Sequence, residues 1–391
     1  MKHTQQTTIK ATYMRGGTSK GLFFCIDDLP KEVGQNKILQ DKILMRIVGS
    51  PDPYGKQIDG MGAATSSTSK VVIVGKSSQP EHDVDYYFGQ VSIDKPFIDW
   101  SGNCGNLSSA VGPFAITSGL IDKNNLKKDG IVKIRIWQAN IKKTILSYVK
   151  MKDGQVQEIG DYYIDGVAFG APEIKLEFVR PVDPTEALFP TGNLVDKIEV
   201  PNIGVFETTM ITAGIPTVFL YADSLGYKGT ELQEHINQDK EALKKFETIR
   251  AYASLKMGLI KDIKEAQTLQ HTPKIAFVSK KQSYTTSSGK QIAIDDIDLN
   301  VRALSMGLLH HAMMGTASVA IGVAACIKGT ILNNLLDKKD TDNITFGHPS
   351  GTLKVGAVVE YVDGKLVVQK ASMSRSARVI MSGYVHIPHI K

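Results

Sequence analysis

Two polar segments of the sequence carry side chains that could take a proton from carbon or return one. Cys104 lies in the segment SGNCGN (101–106), directly before an apolar run of helical character. The positive end of a helix favours the thiolate form of such a cysteine, and a thiolate accepts protons. Lys70 ends the hydroxyl-rich run ATSSTSK (64–70) and leads into an apolar strand, where burial would favour the neutral amine that acts as a base. A structural thiol and a solvent-facing lysine are the alternatives that the sequence leaves open.

The starts of two apolar stretches could bind negative charge. One stretch begins at Asn106 and the other at Thr316, and a glycine precedes each of them, Gly105 or Gly315. A stretch that is apolar all round predicts a buried helix. The first N–H groups of a helix lack partners within the helix, so a carboxylate is a natural ligand for them. If the Asn106 and Thr316 side chains cap these helices instead, both ends are structural, and the sequence does not decide between the two interpretations.

The remaining polar motifs do not indicate a nucleotide or a metal ion. The segment RGGTSKG (15–21) is a glycine-rich approach to a strand, but it lacks the spacing of a phosphate-binding loop and no helix follows it. His310 and His311 are adjacent, so we expect them to point in different directions and to form a poor metal-binding pair. His348 is the third candidate histidine. We therefore expect neither a cofactor nor a metal.

Composition is that of an ordinary globular protein. The chain has 391 residues, a formal net charge of +6 and three widely separated cysteines, which argues against a disulfide framework. Its first ten residues lack the apolar core of a secretion signal. The longest apolar stretch, 316–327, is shorter than the roughly 20 residues of a membrane helix, and the basic residues are dispersed. We expect a cytoplasmic protein that binds neither membranes nor nucleic acid.

Short apolar runs dominate the pattern and predict a strand-rich α+β fold. The runs are rich in β-branched and aromatic residues, and turn residues bound them. Turns at Asp153-Gly154 and Asp363-Gly364 indicate antiparallel hairpins. The segment 230–259 predicts a surface helical region, with Thr230 and Gln233 as a capping box. The predicted strands are 21–26, 70–75, 131–137, 173–178, 217–222, 274–279, 352–362 and 365–371.

An internal repeat indicates two similar domains. Residues 105–119 match residues 315–329 at an offset of 210, with glycine or alanine at the same places, and both Asp-Gly turns keep this offset. Chance similarity of two glycine- and alanine-rich helices is the alternative. We expect homologous domains at 1–183 and 184–391, each a strand-rich sheet around a central apolar helix, with the ligand in the cleft between them.

Six blocks, in order, resemble the PrpF-type family of 2-methylaconitate cis-trans isomerases, whose relatives include 3-methylitaconate isomerases and oxalomesaconate tautomerases. The blocks are MRGGTSKG (14–21), SSTSKVVIV (66–74), DWSGNCGNLSSAVGPFAI (99–116), SMGLLHHAMMGTASVAIG (305–322), GHPSGTL (347–353) and MSRSARVIMSG (373–383). The resemblance implies a diaminopimelate-epimerase-like fold, in which two similar barrel-like domains each surround a central helix and the active site lies between them.

The resemblance also implies roles for individual residues. Lys70 matches the family's acid–base lysine, and Cys104 matches the cysteine beside it. Diaminopimelate epimerases have a cysteine at both helix starts, but the internal alignment puts Met314 opposite Cys104, which argues against amino-acid epimerisation. We expect the substrate to be bound by Thr18, Ser19, Ser66, Ser67, Asn103, Gly105, Asn106, His310, Met314, Gly315 and Thr316.

The leading hypothesis is a cofactor-independent isomerase of an unsaturated di- or tricarboxylate. The expected reaction converts 2-methyl-trans-aconitate to 2-methyl-cis-aconitate in propionate catabolism through the 2-methylcitrate cycle. An oxalomesaconate tautomerase and a 3-methylitaconate Δ-isomerase are alternatives within the enzyme class. An accessory protein of an iron–sulfur aconitase-like dehydratase is an alternative of another class. The candidate protein partners are a second copy of the chain and an iron–sulfur methylcitrate dehydratase.

Overall fold

The computed structural model describes residues 6–182, 187–339 and 341–388, without the side chain of Gln35. The chain forms two compact units. Unit 1 contains the described residues up to 163, residues 169–176 and the described residues from 375 onward; unit 2 contains residues 164–168 and the described residues between 177 and 374. The predicted boundary between residues 183 and 184 lies outside the described residues.

Strands make up most of the regular structure. They are β1 (Gln6–Gly16), β2 (Ser19–Cys25), β3 (Lys70–Lys76), β4 (Val84–Val91), β5 (Ile98–Asp99), β6 (Gly130–Gln138), β7 (Lys143–Lys152), β8 (Gln155–Val156), β9 (Ile174–Val179), β10 (Asp196–Val200), β11 (Gly204–Ala213), β12 (Ile215–Tyr221), β13 (Lys274–Lys280), β14 (Tyr284–Thr285), β15 (Gln291–Ile292), β16 (Leu299–Ser305), β17 (Leu308–Leu309), β18 (Asn343–His348), β19 (Gly351–Val362), β20 (Lys365–Arg375) and β21 (Ala377–Pro388). All eight predicted strands are confirmed.

Helices are fewer and mostly short. They are α1 (Lys31–Gln35), α2 (Lys37–Val48), α3 (Gly105–Thr117), α4 (Gln233–Asn237), α5 (Lys240–Lys256), α6 (Gly315–Cys326) and α7 (Ile331–Leu335). Short 3-10 helices lie at Ile26–Asp28, Lys123–Asn125, Asp223–Leu225, Ile263–Gln267 and Ile294–Asp296. Within the part of the chain that the structure describes, none of the helices has the length and apolar character that crossing a membrane requires.

In unit 1, strand pairing proceeds around helix α3. β21 pairs with β1, and the pairing continues through β2, β3, β4, β6 and β7. α3 contacts β1, β2, β6, β7, β8 and β21. A β-branched, apolar strand such as β3, which is buried at every position except its last, is expected where both faces of a sheet are covered. Unit 1 is therefore a sheet wrapped around one helix, completed by the C-terminal strand.

Unit 2 repeats this arrangement around helix α6. Its strands pair in the order β10, β11, β12, β13, β16, β18, β19 and β20, and α6 contacts β11, β12, β18 and β19. From β1 to β7 the pairings are antiparallel, parallel, antiparallel, parallel and antiparallel. From β11 to β19 the same five senses occur in the same order. The predicted duplication and the strand-rich α+β fold are thus confirmed.

The repeat's glycines have a packing reason. Gly112 in α3 lies so close to β7 that an added Cβ would be 2.8 Å from the Ser147 Oγ. Gly322, at the equivalent place in α6, would put a Cβ 3.2 Å from Val355 on β19. Both helices are buried along almost their whole length, as predicted. Small residues therefore allow each helix to approach the strands that surround it.

The prediction of a surface helical region is correct in outline and wrong in detail. Instead of one capped helix over 230–259, the structure has α4 followed by α5. The capping box at Thr230 and Gln233 does not form, because α4 begins at Gln233 without a side-chain cap. Asp239 caps α5 instead, accepting hydrogen bonds from the N–H groups of Glu241 and Ala242 at 3.0 Å each.

Candidate active site

Lys70 begins β3 in unit 1 with its side chain almost fully buried, at 7% exposure. Its ammonium donates a hydrogen bond to the side-chain oxygen of Gln90 on the neighbouring strand β4. The Nζ also lies 5.0 Å from the centroid of the Phe88 ring. Burial lowers the pKa of Lys70, and the nearby Cys104 opposes this shift. The predicted buried lysine is therefore present, and its neutral amine is favoured relative to that of a lysine in water.

One face of β4 forms the wall beside Lys70. Because side chains alternate along a strand, Tyr86, Phe88 and Gln90 lie on the same face, and all three are buried. The Gln90 Nε2 donates to the Ser69 carbonyl at 3.0 Å. The Tyr86 hydroxyl donates to the Cys104 carbonyl at 3.4 Å, and burial holds the pKa of this phenol well above its usual range. Side chains of β4 therefore contact both Lys70, through Gln90, and the start of α3, through Tyr86.

Cys104 occupies the N-cap position of α3. Its Sγ accepts a hydrogen bond from the Leu107 N–H at 3.5 Å, while its carbonyl oxygen accepts one from the Ser108 Oγ at 3.0 Å. The thiol is buried, at 7% exposure. The neighbouring Asn103 is 2% exposed, and its Nδ2 has no hydrogen-bond partner among the residues that the structure describes. The start of α3 therefore combines a thiol, helix N–H groups and a buried amide donor.

Asn106 does not cap α3 and instead holds the chain segment before β2. Its Nδ2 donates to the Thr18 Oγ1 at 3.0 Å, and its Oδ1 accepts from the Arg375 Nε at 2.9 Å. Gly17 has φ +51°, and a Cβ there would lie 2.4 Å from the Asn106 Oδ1. Glycine is therefore required at position 17 for the close approach to Asn106. Arg375, which donates to the Asn106 Oδ1, is buried, and burial lowers the pKa of its guanidinium to about 10.

The hydroxyl-rich loop before Lys70 is held by a glutamine. The Gln57 Nε2 donates to the Ser69 Oγ at 2.8 Å, and its Oε1 accepts from the Ala64 N–H at 2.8 Å. The Ser69 Oγ donates to the Val91 carbonyl at 3.0 Å. Ser67 is buried, and its carbonyl accepts from the Lys20 N–H at 3.0 Å. This loop is thus tied to β2 and β4.

The remaining predicted residues of unit 1 differ in exposure. Ser66 and Thr18 are half-buried, whereas Ser19 is 4% exposed and Gly105 is fully buried as the first residue of α3. Thr18 contacts Asn106, and Lys70 interacts electrostatically with Cys104. These contacts bring Thr18 of the β1–β2 turn and Lys70 of β3 to the start of α3.

The predicted residues of unit 2 cluster at the start of α6. Met314 is the N-cap residue and provides no side-chain cap, while Thr316 is buried without capping the helix. The Ser318 Oγ donates to the Met314 carbonyl at 3.0 Å. Gly315 is the first helical residue. Neither Asn106 nor Thr316 caps its helix, so the alternative in which these two side chains cap the helix starts is wrong. That the two groups of residues bind one substrate stays a prediction.

The prediction that the two adjacent histidines point in different directions is wrong. The rings of His310 and His311 stack with centroids 4.6 Å apart and do not point in different directions. They follow β17 in a segment that is neither strand nor helix, so strand or helix geometry does not apply to them. The His310 Nδ1 accepts from the Ala312 N–H at 3.0 Å, and burial lowers the pKa of His311. The described residues contain no group of three or more histidine, cysteine, aspartate or glutamate side chains that could hold a metal ion.

Sequence reasoning missed four side chains around the candidate site. They are Gln57, Tyr86, Gln90 and Arg375. A signal was present for two of them, because Tyr86, Phe88 and Gln90 alternate along a strand and place polar groups within an apolar run. Arg375 acts through a contact with Asn106, which lies far away in the sequence. Gln57 acts through contacts within a loop, where there is no strand or helix periodicity to mark it.

The fold is that of racemases and epimerases. A probable proline racemase from Agrobacterium radiobacter superposes with a TM-score of 0.57 at 12% identity, covering 96% of this chain and 92% of that chain. The model of the PrpF protein family matches residues 6–388, and the chain belongs to this family.

Two curated relatives are each 59% identical to this chain. The 2-methyl-aconitate isomerase of Cupriavidus necator covers 99% of both chains, and that of Shewanella oneidensis covers 98% of both. The crystal structure of a methylitaconate-Δ-isomerase superposes with a TM-score of 0.78 at 38% identity, covering 98% of this chain and 97% of that chain. The chain is therefore an isomerase.

Proposed function

We propose that this enzyme interconverts 2-methyl-trans-aconitate and 2-methyl-cis-aconitate by moving a proton, without a cofactor. The observation that carries the proposal is the buried Lys70 amine beside Cys104 at the start of α3. Full-length identity of 59% to two 2-methyl-aconitate isomerases supports this substrate over others of its class.

Lys70 is the base of the proposed reaction. Its neutral amine removes a proton from the methylene carbon that lies between a carboxylate and the C=C bond. The resulting anion is delocalised over the conjugated acid, so the former double bond becomes partly single and can rotate. Return of the proton from the Lys70 ammonium to the same carbon then gives the geometric isomer. Burial supports this role, because it lowers the pKa of Lys70 and so favours the neutral amine relative to that of a lysine in water.

The start of α3 would stabilise the charge that develops on the carboxylate oxygens. Fixed donors aimed at developing negative charge contribute strongly to catalysis, because they need no rearrangement during the reaction. The Asn103 Nδ2 supports this role, since it is buried and has no partner among the described residues. We assign the first N–H groups of α3 and this amide to one substrate carboxylate. Met314, Gly315 and Thr316 would bind another carboxylate through the start of α6.

Cys104 has the smaller role in this proposal. Its thiol lies at the helix start and interacts electrostatically with Lys70, so it could position the substrate or supply a second proton. Unit 2 has Met314 at the equivalent place, and a thioether neither donates nor accepts a proton. This difference supports an isomerase with one lysine base rather than an epimerase with two thiols.

A substrate panel tests the proposal. The purified protein would be incubated separately with 2-methyl-trans-aconitate, trans-aconitate, 3-methylitaconate and 4-oxalomesaconate, and products would be followed by NMR. We expect the highest kcat/KM with 2-methyl-trans-aconitate. A higher kcat/KM with 3-methylitaconate would favour a Δ-isomerase, the second candidate, which the 38% identical methylitaconate-Δ-isomerase structure supports. A preference for 4-oxalomesaconate would indicate a tautomerase.

The cellular setting forms part of the proposal. We propose a cytoplasmic enzyme, because its three cysteines are free thiols. Its substrate would come from an iron–sulfur dehydratase that acts on methylcitrate. No turnover of any substrate in the panel, combined with co-purification of such a dehydratase, would favour an accessory role instead.

A further inference from the structure

Gln90 contacts the Lys70 ammonium directly and has a fixed orientation. It lies opposite Lys70 in the register of β3 and β4, and its side chain is 2% exposed. Its Nε2 donates to the Ser69 carbonyl at 3.0 Å, and its Oε1 accepts from the Lys70 Nζ. A carbonyl oxygen only accepts hydrogen bonds, so the amide nitrogen must face Ser69. The amide oxygen is therefore turned toward the lysine.

A neutral amide suits a lysine that has to change its protonation state. Both the ammonium and the neutral amine have N–H groups, so the Gln90 oxygen can accept a hydrogen bond from either form. A carboxylate at this place would attract the ammonium and disfavour the neutral amine. An apolar side chain would leave the Nζ without this partner.

Cys104, the N-cap residue of α3, is the titratable group that interacts with Lys70, and it raises the pKa of Lys70 against the larger and opposite effect of burial. Tyr86 on β4 and Arg375 at the end of β20 interact electrostatically with Cys104. Gln90 thus contacts the lysine without adding a further charge.

We propose that Gln90 is a positioning residue for Lys70, holding the Nζ in one place through a contact that stays uncharged during the reaction. This inference rests on the proposed function, in which Lys70 is the base. Gln90 itself does not transfer a proton.

The first test is the pH profile of kcat in Gln90→Glu. The new carboxylate is expected to favour the Lys70 ammonium. The part of the profile in which kcat rises as Lys70 loses its proton should therefore move to higher pH by about one unit or more. Turnover should fall near pH 7 and recover as the pH rises. The matched control, Gln79→Glu, adds the same charge on the surface and should keep the wild-type profile. A Gln90→Glu profile that is lowered by the same factor at every pH would overturn the proposal.

The second test removes the polar contact. In Gln90→Met we expect kcat to fall by about 10- to 100-fold with little change in KM, because the amine is no longer held in place. Gln138→Met changes another buried glutamine, on β6, and reports what the substitution alone does to folding. A Gln90→Met protein that melts at a lower temperature but keeps the wild-type kcat would overturn the proposal.

A third measurement separates this inference from the proposed function. The protein would be labelled with [ε-¹³C]lysine, and the Lys70 resonance would be assigned by its loss in Lys70→Ala. We expect Gln90→Glu to raise the titration midpoint of this resonance. If wild-type protein turns over no substrate of the panel, the proposed function fails. An unshifted Lys70 midpoint in Gln90→Glu overturns the Gln90 proposal in either case.

Discussion

The two units place a buried lysine at the same point of the same strand arrangement but surround it differently. Lys70 begins β3 and Lys274 begins β13, and each strand runs parallel to the strand before it in the sheet. Lys70 contacts the amide of Gln90, whereas the Lys274 Nζ lies 3.2 Å from the Ser305 Oγ and 3.3 Å from the His271 Nδ1. The duplication has kept the backbone and changed the chemistry around the ammonium.

The two helix starts likewise share one hydrogen bond and differ in their N-cap residue. Ser108 and Ser318 each donate to the carbonyl of the N-cap residue at 3.0 Å. That N-cap residue is Cys104 in unit 1 and Met314 in unit 2. The serine stabilises the helix start in both units, so it is structural. Of these two helix starts, only the one in unit 1 has a thiol, in keeping with the proposed mechanism, in which the proton chemistry belongs to unit 1.

Removing the Lys70 amine is expected to have the largest effect. In Lys70→Ala, kcat should fall by about 10²–10⁴-fold, because a positioned base is lost. The matched control is Lys76→Ala, at the exposed end of the same strand, which should keep wild-type turnover. Steady-state kinetics with 2-methyl-trans-aconitate measures both. Wild-type activity in Lys70→Ala would assign the base elsewhere.

Removing the thiol should have a smaller effect. Serine is a good N-cap residue, so Cys104→Ser keeps an acceptor for the Leu107 N–H and should fold normally. We expect turnover to fall by about tenfold, equivalent to about 1.4 kcal/mol of barrier. The measurement is kcat with thermal melting as the folding control. A loss as large as that of Lys70→Ala would make the thiol an equal partner in proton transfer.

Two glycines at equivalent turns test whether the stability of the fold and the catalytic activity can be changed separately. Gly17 approaches Asn106 and Gly214 approaches the Thr316 carbonyl, and both have positive φ, at +51° and +72°. Alanine should therefore lower the free energy of unfolding by about 1–2 kcal/mol at either place. Gly17→Ala should also lower kcat, because it displaces a residue at the start of α3. Denaturant unfolding and kinetics on both variants measure this, and unaltered unfolding of both would contradict it.

The pH dependence of stability offers the smallest expected effect. Burial lowers the pKa of Lys70 in the folded state, so between that value and its unfolded pKa of about 10.4 the unfolded chain binds more protons. Folding stability contributed by this group therefore rises with pH across that window. Lys70→Met should melt at a higher temperature than wild type at pH 6–7, and the difference should shrink toward about pH 10. Melting curves with Lys76→Met as control measure this; a difference that is independent of pH would contradict the buried ammonium.

Local patterns predicted eight of the strands and both central helices, because β-branched runs and wholly apolar stretches are local signals. They also predicted the turns at Asp153-Gly154 and Asp363-Gly364, where all four residues have positive φ. β1 and β21 were not predicted. They are only partly buried and lack continuous apolar runs, and the pairing between them joins the two ends of the described chain.

The candidate site was predictable only in part. Lys70 and Cys104 could be identified, because each stands beside a distinctive local sequence. Gln90 could not, since its role depends on the register that places it opposite Lys70. Arg375 contacts Asn106 across 269 residues of sequence, and local periodicity holds no information about such a contact.

The central claim is that isomerisation proceeds by proton transfer at Lys70. The most direct measurement is NMR of 2-methyl-trans-aconitate incubated with the wild-type protein in D₂O over many turnovers. The Lys70 ammonium exchanges its protons with solvent, so deuterium should accumulate at the methylene carbon as the cis isomer forms, and both processes should be lost together in Lys70→Ala. Formation of the cis isomer with no deuterium at that carbon would contradict the claim.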